Sequence, residues 1–414
     1  MNKQLAINGG TPIRTGSFGP MHDYGDEEID NLTEVIRSGD LMRGPQIERF
    51  ERDFAGRHGV RWGITVTSGT AAMHVCIGAI NPDPGSEVIV SPWTSAGSLI
   101  GILLHNCVPI FADIDETYNI DPNDVEHKIT QRTRAIMAVH LFGNPCDLTA
   151  LRKVADRHNL FLIEDCCQAH FSEHQGKIVG SIGDIAGFSF GGKHISAGGG
   201  GIVLTNNESL GPQATLFRDS ALPRDDGPYA GRPYANYRLA PNYKINDLMG
   251  AVLNAQLQRA DGYIENKIRD AKDINAGLAD IEEIVPQRVR SGDRHSYWDM
   301  GFTIDTERLD CSAKQFADAV KAEGVPTEGP YLLTPEIGPL YRNPFLADTV
   351  LYGNSRFPLD YNRERPVDYR MVKCPYGEEL MGRNVILPMI PNFTKEDIGD
   401  IIQAFHKVAY AYRK

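Results

Sequence analysis

The chain has 414 residues, 41% hydrophobic and 23% charged, with 42 Lys and Arg against 54 Asp and Glu for a formal charge of −12. This composition is that of a globular protein of two or three domains, or of one large domain with an appendage, and its core needs no disulfide or metal. An acidic total without a run of Lys or Arg excludes the electrostatic footprint that a nucleic acid duplex or an anionic membrane surface demands.

The seven cysteines are scattered and odd in number, which reads as reduced thiols in a cytoplasmic protein. The opening MNKQLAINGGTPIR has no apolar signal core, and apolar windows such as Ser98–Leu104 fall far short of the ~20 residues of a membrane span. A Gly/Pro-rich arm covers 1–24. Residues 26–38 then predict a helix with Ile29, Leu32, Val35 and Ile36 on one face, acids in the first turn and Gly39 beyond the end. A second helix is expected near 45–58, a buried strand at Gly63–Thr67, and a turn running into a helix from Ser68.

Residues 135–164 read as strand, helix and strand, a βαβ unit with parallel strands. The apolar stretches GFSF and GIVLT flank the glycine-rich GGKHISAGGG, which cannot hold a helix and forms a loop between strands. From Asn246 to about Ile281 the periodicity predicts a long helix, followed by strand-like MGFTI and helical AKQFADAVKAEG in a smaller α+β region. The expected organisation is a large α/β domain over 25–255 and a small C-terminal domain over 256–414. Loop-rich stretches near 222–240 and 330–375 are expected as lids or interface arms.

Three features lie at expected strand ends, where open α/β sheets bind ligands. Ser68-Gly69-Thr70 at a strand-to-helix turn offers free backbone N–H groups to a phosphate, or forms an ordinary N-cap. Glu164-Asp165 closes a buried strand with carboxylates that need a cation, a ligand or a salt bridge, and Gln168 is placed to share that space. Lys193 sits in a glycine-lined loop, where desolvation lowers the pKa of an amine and frees it for Schiff-base formation.

Two patterns are decoys. Gly187, Gly192 and Lys193 match G-x-x-x-x-G-K, but His194 stands where a P-loop needs Ser or Thr. Cys166, Cys167, His170 and His174 lack the paired spacing of structural zinc, and no metal is expected. A phosphate cradle, a carboxylate and a lysine together are what pyridoxal phosphate requires: an anion site, an acid facing its ring nitrogen, and an amine to carry it.

These residues resemble the DegT/StrS-type sugar and cyclitol aminotransferases, fold type I pyridoxal phosphate enzymes. The resemblance runs through SGTAAM, DIDETYNIDP, TRAIMAVHLFGNPCDL, LIEDCCQAH, GKIVGSIGDIAGFSF, the K-x-x-x-x-G-x-G-G of 193–201, PNYKIND and VILPMIPNFTKEDI. It implies a three-layer α/β/α large domain with a mostly parallel sheet, and a homodimer with its active site at the subunit interface. It implies that Lys193 carries the cofactor as an internal aldimine and moves the proton, that Asp165 pairs with the pyridine nitrogen and that Gln168 lies near the ring hydroxyl. It further implies that Gly69, Thr70 and Ser189 hold the phosphate, with Asn242 from the partner subunit.

The implied reaction moves an amino group from glutamate or glutamine to a keto-sugar, nucleotide keto-sugar or keto-cyclitol, with pyridoxamine phosphate as the intermediate cofactor form. Three departures stand out. Ser189 precedes Lys193 by four residues where relatives have five, and counting five lands on His194, the residue type of the family's sugar dehydratases. Gly199 replaces a usual glutamate. Ser95 takes the place of the ring-stacking aromatic, a role that Trp93 is expected to fill. Tyr331 and His295 are candidates for the acceptor wall. A cofactor-dependent dehydratase and a non-catalytic cofactor-binding regulator are the alternative functions.

Overall fold

The computed structural model describes residues 4–42, 44–224, 227–330, 338–349 and 351–414. Two helices lead the chain. α1 (Asp26–Ser38) places Asp26, Glu27 and Glu28 in its first turn, where the helix dipole favours them, and stops at Gly39 with φ 75°. α2 (Pro45–Arg57) opens on a proline, whose missing N–H costs nothing in a first turn.

Strands and helices then alternate: β1 (Trp62–Val66), α3 (Gly69–Ile80), β2 (Glu87–Val90), α4 (Ala96–Leu104), β3 (Val108–Phe111), α5 (Pro122–Lys128), β4 (Thr133–Val139), α6 (Leu148–His158) and β5 (Phe161–Asp165). A two-stranded hairpin, β6 (Glu173–His174) and β7 (Lys177–Ile178), leads into β8 (Ile185–Ser189), β9 (Gly201–Thr205) and α7 (Leu210–Arg218). Seven of these strands form one sheet in the order β1-β9-β8-β5-β4-β2-β3, in which only β9 runs against its neighbours.

Alternation along β4 shows why the sheet needs helices on both faces. Ile136 and Ala138 join a core with Phe50 and Phe54 of α2 and Leu151 of α6, whereas Ala135, Met137 and Val139 join another with Ala72 of α3 and Leu99 and Ile102 of α4. Phe50, Phe54, Leu99 and Ile102 are all fully buried, and each contributes about 1.5–3 kcal/mol by leaving water. The result is the expected three-layer α/β/α arrangement with a mostly parallel sheet.

A long helix, α8 (Asp247–Gly277), connects this unit to the next: Leu253 and Leu257 pack in the large core, Ala271 and Ile274 in a separate one. It runs unbroken through residue 255, so a division placed there cuts a continuous helix. The second unit is an antiparallel sheet ordered β10 (Ile284–Pro286), β11 (Asp299–Ile304), β12 (Asn384–Pro388), packed by α9 (Ala313–Ala322) and α12 (Lys395–Tyr412) around Phe302, Phe316 and Phe405. Between β11 and β12 also lie the short α10 (Pro344–Ala347) and α11 (Pro375–Gly382).

Two segments cross the expected boundaries. Leu340, Tyr341, Leu346, Leu359, Tyr369 and Cys374 return to the core of the large sheet, where the Leu340 N–H donates to Pro92 O (3.1 Å) and the Tyr369 hydroxyl to Pro109 O (2.9 Å). The N-terminal arm lies on the second unit, with Leu5 in its core and Arg14 paired to Asp397 (2.7 Å) and Asp400 (2.9 Å). The expected inward face of α1 is also turned. Val35 is buried, but Ile29 and Ile36 are each 60% exposed, and the inward position goes to Glu28, which accepts from Gln256 Nε2 (2.8 Å) and pairs with Arg259. Among the described residues no helix is long and apolar enough to cross a membrane.

Candidate functional site

The parallel strands bring the ends of β1, β2, β4, β5 and β8 to one edge of the sheet, with the Ser68–Thr70 turn, Asp165, Ser189 and Lys193 at or just beyond them. At the end of β5 two adjacent carboxylates point to opposite faces and have separate fates. Glu164, fully buried, accepts from the backbone N–H of Gly180 (2.7 Å), Ile182 (2.8 Å) and Gly183 (2.6 Å) and lies 3.3 Å from His140 Nε2. The Cys146 N–H donates to His140 Nδ1 (3.0 Å), which leaves the proton on Nε2 facing Glu164. Cys166 Sγ completes a group whose donor atoms all lie within 4.8 Å, but Glu164 and His140 are taken up by these bonds.

Burial alone pushes the Glu164 carboxyl up; the bond and charge of His140 and the Gly180 and Gly183 N–H groups outweigh it and hold the carboxyl below its ordinary 4.5. The stability that Glu164 adds is therefore present above that value and is lost as pH falls through the lower, folded one. Glu164→Gln is expected to cost about 3–5 kcal/mol at neutral pH, because its amide NH2 meets backbone donors. In urea titrations the gap between parent and variant should narrow as pH falls below the ordinary 4.5; a gap independent of pH would contradict this account.

Asp165 faces the other way. It is 4% exposed, with the Ser98 hydroxyl donating to Oδ2 (2.7 Å) and the Cys167 N–H to Oδ1 (3.1 Å). Ser98 belongs to α4, so the carboxylate is oriented by the next helix N-terminus as well as by its own strand.

Beside it, Ser68 caps α3 by accepting from the Ala71 N–H (3.1 Å), which leaves the N–H groups of Gly69 and Thr70 in the unsatisfied first turn. The N-cap is therefore formed, with these two N–H groups left over at the helix start. A Cβ on Gly69 would stand 2.7 Å from Ser189 Cβ and 3.0 Å from Cys167 Sγ, so only glycine lets the end of β8 approach this turn. The Ser189 hydroxyl thereby sits at the N-terminus of α3. The first turn of α4 adjoins as well, since a Cβ on Gly97 would be 2.8 Å from Thr70 Oγ1.

The loop between β8 and β9 supplies Lys193. Its Nζ lies 3.4 Å from the centroid of the Trp298 ring, and desolvation by burial holds its pKa below the ordinary lysine value against the carboxylates of Asp299 and Asp165. His194 turns inward. Its Nε2 lies 3.0 Å from Ser296 O and its Nδ1 3.2 Å from His170 Nδ1, and burial pushes its pKa well below 6.5. The amine, not the imidazole, is at the sheet edge with Asp165.

Several expectations are corrected. Trp93 is 1% exposed, covered by Tyr118 (ring centroids 5.0 Å apart) and the edge of Phe142 (5.9 Å), so no open ring face remains for stacking on a cofactor. His295 is buried, with the Tyr297 N–H donating to Nδ1 (2.8 Å) and Gln287 Oε1 3.3 Å from Nε2; burial pushes its pKa down to about 3, and it does not form an open wall. Tyr331 lies outside the described residues. Gln168 Oε1 accepts from the Phe142 N–H (2.9 Å), which fixes its amide at the site, and Asn242 is exposed on the surface of the single chain, bridged to Asp219. Of the cysteine and histidine cluster, His174 is held by Asp293 (2.9 Å) and Thr149 (2.8 Å).

Sequence reasoning missed Ser98, Trp298, Asp299 and Lys267. Lys267 and Asp299 are buried near Lys193; desolvation brings Lys267 down to about 8 and Asp299 up to about 7. A charged residue at an otherwise apolar helical position of α8 was the available signal for Lys267.

Comparison with known proteins places this site in context. The family model described as the DegT/DnrJ/EryC1/StrS aminotransferase family matches residues 22–363. The L-glutamine:2-deoxy-scyllo-inosose aminotransferase of Streptoalloteichus tenebrarius is 33% identical over 425 residues, covering 99% of this chain and 98% of that protein. GDP-perosamine synthase of Escherichia coli O157:H7 is 32% identical over 369 residues, 88% of this chain and 90% of that one. The X-ray structure of Streptomyces venezuelae DesV with a ketimine intermediate superposes with a TM-score of 0.79 at 26% identity, covering 94% of this chain and 95% of that chain.

Proposed function

The chain belongs to the DegT/DnrJ/EryC1/StrS aminotransferase family, and on that premise we propose that its sheet edge passes an amino group from glutamine or glutamate to a keto group on a cyclitol or sugar. The enzyme is an aminotransferase dependent on pyridoxal 5′-phosphate. When bound, that group supplies the electron sink that lets a C–H bond next to nitrogen ionise, and it stores the amino group as pyridoxamine 5′-phosphate between the two half-reactions.

The residues present fit it. The unsatisfied N–H groups of Gly69 and Thr70, with the Ser189 hydroxyl beside them, suit the phosphate, with Ser68 fixing the turn. Asp165, held by Ser98 and Cys167, suits a protonated ring nitrogen, and Gln168 is fixed where it can meet a ring substituent. Lys193 would hold the group covalently and, once released from it, would take the proton from the donor carbon and return it to the carbon on the other side of the shared nitrogen. The single observation that carries this reading is a desolvated lysine amine sharing a sheet edge with a buried, doubly hydrogen-bonded aspartate.

Assembly belongs to the same proposal. Ile29, Ile36, Met42 and Leu239 are apolar and between 60% and 95% exposed on the single chain, and Asn242 lies on that surface too. A homodimer that buries them and lends Asn242 to the neighbouring phosphate site accounts for both. We place it in the cytoplasm, on the strength of its free thiols; a monomer in sedimentation would overturn the shared site.

The deciding experiment is the visible spectrum of the protein loaded with pyridoxal phosphate. A yellow band is expected to form and to bleach on addition of L-glutamine or L-glutamate. Bleaching by neither would favour another donor, the dehydratase or a cofactor-binding regulator, and no band would remove Lys193 from its role.

A further inference from the structure

Trp298 meets the lysine loop twice. Its ring lies under Lys193 Nζ at 3.4 Å, and its indole Nε1–H donates to the carbonyl of Gly192 (3.1 Å), the residue from which the lysine begins. The tryptophan itself is firmly placed, immediately before β11, where its N–H donates to Phe142 O (2.8 Å) and its carbonyl accepts from the Met389 N–H (3.4 Å). It is half-buried.

The loop needs such a support. Gly192 has φ 66° and Gly198 has φ 73°, and no neighbouring atom would touch a side chain at either, so the loop has little packing of its own there. A lysine stem rising from it has many rotamers, and a base that must act on a carbon two bonds from its former attachment loses rate when it strays. An aromatic face holds an amine without a competing counter-ion, and tryptophan holds it best.

We propose that Trp298 is a positioning residue for Lys193, its ring holding the amine in place whenever the lysine is not joined to the cofactor and its indole N–H fixing the loop carbonyl beside it. This rests on the reading of Lys193 as the cofactor-bearing residue. The groups around the amine come from every packed element: Asp165 at the end of β5 and Cys167 just after it, Asp299 on β11, Lys267 on α8, and the His170–His194 pair behind the loop. Asp165 and Asp299 favour the ammonium, whereas burial and Lys267 oppose it; burial keeps the Cys167 thiol neutral.

The test compares Trp298→Leu and Trp298→Phe in the full chain. In the cofactor-free protein, trace acetic anhydride is reacted across pH and acetylation of Lys193 is read by peptide mass spectrometry. Leucine keeps an apolar wall but loses the π face, so the ammonium is weakened and labelling below the titration midpoint rises about tenfold. Phenylalanine keeps the face and stays within about twofold to threefold of the parent. In the loaded enzyme Trp298→Leu lowers kcat about tenfold with the donor KM unchanged, and Trp298→Phe recovers most of it. Unaltered Lys193 labelling in a folded Trp298→Leu protein would overturn the proposal, as would equal loss in both variants. Failure of the underlying reading is separate: it would show as Lys193→Ala protein that still holds the cofactor covalently.

Discussion

Lys193→Ala is expected to abolish the visible band of the loaded protein and to lower turnover by about ten-thousandfold or more, while the chain stays folded. Two roles are lost together, the covalent hold and the acid–base amine, and positioned proton transfer alone is worth up to about ten-thousandfold. The fold is not at risk, because Lys193 is part of no hydrophobic core cluster and the amine is already penalised by desolvation. Removing a buried cation of that kind leaves the unfolding midpoint unchanged or higher. Absorbance titration with pyridoxal phosphate and thermal unfolding of the same sample check both halves. A Lys193→Ala protein transaminating at the parental rate would end the assignment.

Local signals made most of the fold legible. Acids, apolar spacing and a following glycine mark Asp26–Ser38, and the helix occupies those residues. The alternation in 135–164 becomes the adjacent parallel pair of β4 and β5, and the glycine run becomes the loop between β8 and β9. What depended on partners distant in sequence was less visible. Ile29 and Ile36 share the helical period of Val35, yet Glu28 takes the inward place because Gln256 and Arg259, over 200 residues later, satisfy it.

The site divides the same way. Lys193, Asp165 and the Ser68–Thr70 turn stood out because their chemistry sits at strand ends that the topology brings together. At Glu164-Asp165 the sequence left ligand and salt bridge open; Glu164 takes the paired place beside His140, and Asp165 faces the other side because successive side chains of β5 alternate. Trp93 misled because an aromatic near a site reads alike in core and pocket; only Tyr118 and Phe142 decide it. Trp298 and Lys267 reach Lys193 from β11 and α8, and no spacing rule links residues so far apart.

Asp165→Asn separates binding from chemistry. The amide is nearly the same shape, its oxygen still accepts the Cys167 N–H, and the Ser98 hydroxyl can turn to accept from the new NH2, so folding and the phosphate site are expected to persist. What changes is charge. A carboxylate keeps the ring nitrogen protonated and so maintains the electron sink; a neutral amide does not, and the step that ionises the donor C–H bond loses its main electrostatic support. A loss of about a hundredfold to a thousandfold in kcat is expected, the range seen when a single preorganised electrostatic partner is removed. The visible band should still form with Lys193, but bleach slowly with L-glutamine. Asp165→Asn protein that bleaches as fast as the parent would assign the ring-nitrogen role to another acid, and Asp299, buried and beside the same lysine, would be the residue to replace next.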